Sequence, residues 1–491
     1  MKKLLLLFSI ALSIGLNATI YLVQQGGANP AWSGATLTGK TLVDLTVEAK
    51  TFPAWFNDAL TTFGATDQIW VMNGTYLFEA TLAVKKVSIY GGFAGTETTI
   101  AERAKPVNAK YWEFTNETIF DGNTTSIKLI NNSTSIGTGV IIYDGLTFTK
   151  SGGLFFRYNE TLQNCKIINN SLTAGGGAGV SNYKAANTIK NCYFYNNIVT
   201  GTGTGGAIYT LQSTGGIIDG CVFDSNSATT NGSAIYLGAV STGVLTVQNC
   251  LVTGSTGGTF IYTNIASNFY NNTFVNNNGT GGLYIAGTVA LAVKIYNCVF
   301  WVSGGATGSN LGGVAVANTA SVELKNCALT ATPSNSGNWT KANNITLEAT
   351  NTGSGSGLFY PGFVDPTAGN YKIAAGSSLI NAGIAIDGMT TDFFGTTRPN
   401  GAAYDIGYHE LDLGVSTMVP SQDVSALNAF SQNGAITVRG AKAGQVIEVY
   451  NAMGQKINSL IASDGDNTFS ASSKGVQIIK IGNWVRKVIL K

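Results

Sequence analysis

The chain has 491 residues, a formal net charge of +2, 11% charged residues, 62 glycines and a single histidine. Charge is less than half the roughly 25% of an ordinary globular domain, and no basic run concentrates it, so no nucleic-acid or anionic-membrane partner is expected. One His and no CxxC pair leave little to ligate a metal, and no cofactor is expected.

Met1-Lys2-Lys3, the apolar stretch from Leu4 to Leu16 and a small residue at Ala18 read as a secretory signal peptide over 1–18, cut between Ala18 and Thr19. The apolar stretch is too short to span a bilayer, and no Cys follows it to carry a lipid. Farther on, Tyr284 to Val302 is apolar-rich, but Lys294 and Asn297 interrupt it, so no transmembrane segment is expected.

Phe52 to Phe63 reads as a short capping helix, and Ile69-Trp70-Val71 and Val87-Ser88-Ile89-Tyr90 read as strands. The phrases Asp67 to Tyr76, Val87 to Glu97 (with Gly91-Gly92-Phe93-Ala94-Gly95-Thr96-Glu97) and Thr118 to Gly122 closely resemble the opening of bacterial proteins of the pectate-lyase-like superfamily. That resemblance implies a secreted right-handed β-helix over about 19–411. It is specific for fold and much less so for activity.

Seven copies of one phrase follow, at Leu162–Ile167, Ile189–Phe194, Ile218–Phe223, Val247–Val252, Phe269–Phe274, Ile295–Phe300 and Leu324–Leu329. With column 0 at Cys165, Cys192, Cys221, Cys250, Asn272, Cys298 and Cys327, the spacings are 27, 29, 29, 22, 26 and 29 residues. A weaker copy, Tyr143 to Phe148, precedes them. Periods of this length mark a solenoid. Columns −3, 0 and +2 hold the apolar residues and cysteines, so parity breaks between −3 and 0 and the chain must bend there. Column −1 is Asn164, Asn191, Gly220, Asn249, Asn271, Asn297 and Asn326, the residue types that accept φ > 0.

Asn170, Asn197, Asn226 and Asn277 at column +5 suggest an asparagine ladder at another corner. Glycine-led segments at Gly205 to Tyr209, Gly232 to Tyr236, Gly257 to Tyr262, Gly281 to Ile285 and Gly312 to Val316 announce a third strand. Three strands and three turns per repeat describe a parallel β-helix, all-β, and the right-handed form is expected from the hand of parallel crossovers. The six cysteines share one inward column and are expected as a structural ladder of free, buried thiols, because parallel Cβ vectors do not suit a disulfide.

Ser377 to Gly383, Thr391 to Gly395, Arg398-Pro399 and Asp405 to Glu410 resemble a segment that closes such helices in surface-displayed bacterial proteins, here 370–411. Its Asp387, Asp392, Asp405, Glu410 and Arg398 are expected to form a structural network, with His409 as filler. After a linker at 412–428 come short alternating strands over 429–491. Tyr450 to Lys456, Lys474-Gly475-Val476 and Lys487 to Lys491 are similar to the type A C-terminal sorting domain of the type IX secretion system of Bacteroidetes. Gln477 departs from the aromatic common there. The resemblance implies a small β-sandwich, the secretion machinery as partner, and release or display at the cell surface.

Chemistry is sparse on the repeat. Its acids are Asp144, Glu160, Asp219, Asp224 and Glu323, in turns or columns that do not converge as hydrolysis or metal-assisted elimination requires. The expectation is a monomeric, non-catalytic protein for glycan binding or adhesion, with no catalytic or metal residue. The alternative is a polysaccharide lyase or glycoside hydrolase, with Asp67, Glu79 or Asp121 of the N-terminal part as candidate acids. Tyr193, Tyr209, Tyr236, Tyr262 and Tyr284 are candidates to stack on an extracellular polysaccharide, or else they fill strand positions.

Overall fold

The computed structural model describes residues 18–412 and 427–490, apart from 26–31, 33–38, 65, 85–86, 133–139, 184–185, 212–213, 239–242, 288–290, 302–313, 319, 331–332, 334–337, 354–357, 433, 464, 471–474 and 483. Residues 1–17 of the signal peptide, most of the linker, Gly312-Gly313, Lys474 and Lys491 lie outside the described residues. The chain divides into two compact units, Met1–Leu411 and Asp412–Lys491.

In the first unit the described strands stack into three parallel sheets of 13, 11 and 10 strands. Each repeat strand of the first sheet ends at column −2, just past the inward column −3, the second-sheet strands begin at column +1 right after column 0, and the glycine-led segments form the third. The register is that of the repeat: Leu162 pairs with Ile189, Ile189 with Ile218 and Ile218 with Val247. Every apolar residue and cysteine of columns −3, 0 and +2 is buried in one continuous core, and Asn272 is fully buried among them. Like side chains stack there, as with Phe194 on Phe223 at 4.9 Å and 9°.

The corners follow the residues that tolerate them. Every column −1 residue from Asn164 to Asn326 has φ between 49° and 61°, a conformation that costs most other residues about 1–2 kcal/mol. A second left-handed corner sits at column +4, in Lys150, Asn169, Asn196, Ser225, Gly254 and Asn276. The expected ladder lies just after it. Asn170 Nδ2 donates to Asn197 Oδ1 at 2.9 Å, and Asn197 Nδ2 donates to Asn226 Oδ1 at 2.9 Å.

Column 0 mixes cysteine and asparagine for a reason of hydrogen bonding. Each thiol faces the column −3 carbonyl of the preceding turn, as with Cys192 on Leu162 O at 3.5 Å and Cys327 on Ile295 O at 3.3 Å. Asn272 Nδ2 donates to the equivalent carbonyl, Val247 O, at 2.8 Å. Asn344 Nδ2 repeats the bond to Leu324 O at 2.8 Å. Asn344 thereby marks an eighth turn that pattern reading misses, because Lys341 and Thr346 stand where its inward apolar residues would be. All six cysteines are buried and unbridged, and burial pushes thiols such as Cys192 and Cys250 up, away from reactive thiolate. Thiol titration of denatured, unreduced protein is expected to count six; a count near zero would refute the ladder of free thiols.

The N-terminal end is capped. Helix Phe52–Ala59 starts at Thr51, whose side chain accepts from Ala54 N, and it buries Phe52, Trp55 and Phe56 against the core. Phe52 meets Phe120 at 5.0 Å. The Gly91 to Glu97 phrase is a turn in which the Glu97 carboxylate collects the N–H groups of Ala94, Gly95 and Thr96.

The closing segment runs along the flank of the helix. Column −1 asparagines hold it: Asn249 Nδ2 donates to Thr391 O at 3.2 Å, Asn271 Nδ2 to Asp405 O at 3.0 Å, Asn297 Nδ2 to Ile384 O at 2.7 Å and Asn326 Nδ2 to Ala382 O at 2.8 Å. Apolar residues from the segment and the outer face of the second sheet form a second core, including Val275, Val299, Trp301, Phe363, Leu379, Ile406 and Tyr408. Within the segment Arg398 Nη1 donates to Glu410 Oε2 at 2.7 Å, with both side chains fully buried. Asp405 accepts from Asn381 N and Leu411 N, and Asp392 accepts from Phe394, Thr396 and Glu410 N. Asp387 is exposed and takes no part in these bonds. His409 Nδ1 accepts from Ile373 N at 3.1 Å, and burial holds its pKa down at about 4.

The second unit is small and antiparallel, with described sheets of three and four strands around one core that includes Ile436, Val438, Ile447, Val449 and Ile479. Its Val446–Asn451 and Lys456–Ile461 strands form a hairpin whose turn is tied by Asn451 Oδ1, which accepts from Met453 N and Gln455 N at 3.0 Å each. Gln477 is buried, pairing in register with Asn451.

Candidate functional site

On the outer face of the second sheet, columns +1 and +3 point away from the core. Under the closing segment these positions are mostly apolar, with Thr273 bonded to Tyr408 N, but toward the N-terminus they include Lys166, Ile168, Tyr193, Tyr195 and Asp224. The loop around Tyr111-Trp112, whose Trp112 meets Phe393 at 6.2 Å, and the strip Pro366 to Lys372 with Phe394 complete the walls. Together they enclose a cleft of about 1710 Å³, ample for several sugar residues by comparison with ordinary ligand pockets of about 300–1,000 Å³.

Aromatic rings dominate its lining. Trp112 lies flat on Tyr193 at 5.4 Å and 11°, and Tyr193 on Tyr195 at 5.8 Å and 15°. Trp112 is buried, while Tyr111, Tyr195 and Phe394 are each more than a third exposed. Lys105 Nζ donates to Tyr111 O and sits 4.3 Å from the Phe114 ring, tying the loop back on itself.

Several charged groups here already have partners, and Glu113 Oε2 accepts from Lys110 N at 2.8 Å. Glu117 Oε1 accepts from Lys166 Nζ at 2.9 Å and from Thr147 Oγ1 at 2.7 Å. Burial alone would raise the Glu117 carboxyl, but these donors outweigh it and hold it below the usual range. Asp224 accepts from Tyr193 OH at 3.1 Å and from Ser225 Oγ at 2.8 Å, and burial together with that carboxylate keeps the Tyr193 phenol well above its ordinary range. Lys372 Nζ stands 3.8 Å from the centre of the Phe394 ring. Glu117 bridges the turns of Thr147 and Lys166, whereas Asp224 is two turns beyond Lys166. At ~4.8 Å per turn their carboxylates are roughly 10–14 Å apart, more than the ~5–9.5 Å that glycoside hydrolysis uses.

The other acids go to separate structural tasks. Asp144 pairs with Arg103 at 3.2 Å and accepts from Gln163 and Asn164. Glu160 lies inside, bonded to Asn132 Nδ2 at 3.0 Å, and burial pushes its pKa up to about 7. Asp219 accepts from Asn249 at 3.4 Å, and Glu323 pairs with Lys325 at 2.6 Å. In the N-terminal part Asp121 pairs with Lys150 at 2.8 Å, Asp67 accepts backbone N–H groups, and Glu79 is exposed. Among the described residues no group of three or more His, Cys, Asp or Glu is placed to hold a metal ion, and no helix is long and apolar enough to cross a membrane.

The tyrosine expectation divides. Tyr193 belongs to the cleft. Tyr209, Tyr236, Tyr262 and Tyr284 form a separate column on the third sheet, stacked at 5.2, 4.5 and 5.8 Å. Within the column each ring faces the next, because in-register parallel strands bring like rings face to face. Gly176 packs beneath Tyr209, where an added Cβ would come within 2.5 Å of the ring. These rings therefore turn faces toward one another along the column, and Tyr284, whose next register neighbour is Ala315, ends the stack.

Pattern reading missed Tyr111, Trp112, Glu117, Lys372 and Phe394, which come from non-repeating segments. One signal was available: Val299-Phe300-Trp301 is apolar throughout, where an exposed wall would alternate, and so it announces a covered outer face.

A family model for the right handed beta helix region matches residues 107–300. Among solved structures, pectate lyase Pel9A is similar with a TM-score of 0.37 at 12% identity, covering 81% of this chain and 97% of that one. No curated protein matches the chain. Stacked parallel sheets with that family match across the repeat make the chain a right-handed parallel β-helix followed by a small antiparallel β unit.

Proposed function

We propose that this is a cell-surface β-helix protein that binds a neutral glycan in the cleft without cleaving it. The observation that carries the reading is the aromatic lining, with Tyr111, Tyr195 and Phe394 still exposed. Rings of this kind meet the apolar faces of sugars, and Thr253 beside them supplies a polar contact. Charge favours a neutral ligand. On the lining Lys110, Lys166 and Lys372 face Glu113 and Asp224, and Glu117 holds Lys166 from outside it, so opposite charges nearly balance and no strong field favours a polyuronate. The absence of catalysis is supported by the spacing of Glu117 and Asp224 and by the partners each already has.

Titration of the full chain with neutral oligosaccharides, after a glycan array has chosen them, is expected to show binding that Tyr195→Ala weakens at least tenfold. Uronate-release and reducing-sugar assays run in parallel are expected to stay blank. Cleavage that is lost in Asp224→Asn or Asp219→Asn would replace this reading with the enzyme, and cleavage that depends on Asp67, Glu79 or Asp121 would move the site to the N-terminal part.

The second unit is proposed as a type IX sorting domain, on the residues from Tyr450 to Lys456 and from Lys487 onward and on its compact antiparallel form. Deleting 435–491 is expected to leave the helix folded and the protein in the periplasm. Undiminished surface labelling of cells making the truncated chain would remove this role.

A further inference from the structure

The first strand of the helix, Ile20–Gln24, is interior to its sheet, with Lys40–Asp44 on one side and Gln68–Met72 on the other. Thr19, just ahead of it, has both backbone groups engaged. Its N–H donates to Asp67 Oδ1 at 2.8 Å and its carbonyl accepts from Gln68 N at 3.0 Å. Ala18, one residue earlier, is exposed.

Asp67 is 8% exposed, and its other oxygen accepts from Gly64 N at 2.7 Å. The ion pairs of the described residues do not include it. Among the described residues its partners are neutral N–H donors, and a nearly buried carboxylate so placed is ordinarily paired with a positive charge.

We propose that Asp67 is the receptor for the α-ammonium of Thr19, created when the leader is cut between Ala18 and Thr19. The inference rests on reading 1–18 as a leader and goes further, in fixing the cut and naming its partner. Hydrolysis of the Ala18–Thr19 peptide bond adds one water, leaves a carboxylate on Ala18 and turns the Thr19 amide nitrogen into an ammonium. The neutral hydrogen bond then becomes a charge-assisted one at the same place. A cut one residue later would remove both backbone bonds of Thr19. A cut one residue earlier would keep the amide and leave Asp67 unpaired.

Mass spectrometry of the N-terminus of protein recovered from producing cells is expected to find Thr19. A chain that is not processed at all would overturn the leader reading, whereas a processed chain beginning elsewhere would overturn this inference alone. For the pairing, the mature chain 19–491 is compared with one that keeps Ala18. The Thr19 amine is expected about one unit above the ordinary α-amino range of ~7.7–8.0, so that its acylation at pH 7 is about tenfold slower. Asp67→Asn is expected to restore the ordinary rate; should that variant not fold, the chain keeping Ala18 supplies the same comparison. Because the folded pKa is raised, the extra thermal stability of the Thr19 form is present below about pH 7.7 and is lost as pH rises through the folded value. Equal acylation rates in the Thr19 and Ala18 forms would overturn the pairing.

Discussion

Replacing Arg398 with Ala is expected to destabilise the first unit by about 3–5 kcal/mol, the largest effect of any single change discussed above. The guanidinium is fully buried and donates to Glu410, to Asp405 O at 3.0 Å and to Gly407 O at 2.7 Å. Its loss would leave the buried Glu410 carboxylate without its cation. Burial pushes the Glu410 carboxyl up and the Arg398 guanidinium down, each against the pull of its partner. The pair is thus held at a desolvation cost, and its removal as a whole should be milder than its disruption. Arg398→Met combined with Glu410→Leu is therefore expected to lose clearly less stability than Arg398→Ala alone. Denaturant midpoints measure both, and limited proteolysis should show the 370–411 segment cut first. A cost below about 1 kcal/mol for Arg398→Ala would mean the pair does not secure the segment.

Asn297→Ala is expected to cost about 3–4 kcal/mol, as the sum of two separate losses. The side chain gives up its bonds to Ile384 O at 2.7 Å, Asn271 Oδ1 at 3.1 Å and Ile384 N at 2.9 Å, at about 1 kcal/mol each. Alanine must also adopt φ 56°, which costs about 1 kcal/mol more. Asn297→Gly loses the bonds but keeps the conformation, so it should be about 1 kcal/mol less damaging. Asn191 has nearly the same φ, 55°, but the bonds to the closing segment come from later asparagines of the column. Asn191→Ala should therefore cost only about 1–2 kcal/mol. Chemical denaturation of the three variants tests this, and equal costs for Asn297→Ala and Asn191→Ala would show that the closing segment does not draw on this column.

The contrast between those two asparagines also explains what could be read from sequence. The solenoid samples each position of its turn seven times, so the inward columns, the left-handed corner and the buried asparagine ladder all stand out from pattern alone. A second duty carried by only some members of a column does not repeat, and Asn191 and Asn297 look alike in the sequence. The cleft was hidden for the same reason. Tyr111, Trp112 and Phe394 approach Tyr193 from segments far apart in the chain, and no periodicity announces their meeting. The eighth turn escaped because a terminal turn has no further neighbour to bury its inward positions, which lets Lys341 stand there. The tyrosines of the third sheet were visible as a repeat, but the repeat itself is what turns their faces toward one another.

The strap formed by the closing segment changes how the rod comes apart. A bare solenoid is a row of nearest neighbours, in which each turn can open when the next one has gone. Asn249, Asn271, Asn297 and Asn326 sit on four successive turns and grip one continuous length of chain. Those turns cannot open singly without releasing the same strap, so they behave as a single cooperative block. The turns of Asn164 and Asn191 keep the weaker, stepwise character of an unstrapped array. Amide exchange should therefore divide the rod into a segment that opens turn by turn and one that opens all at once, with the boundary near Asn249.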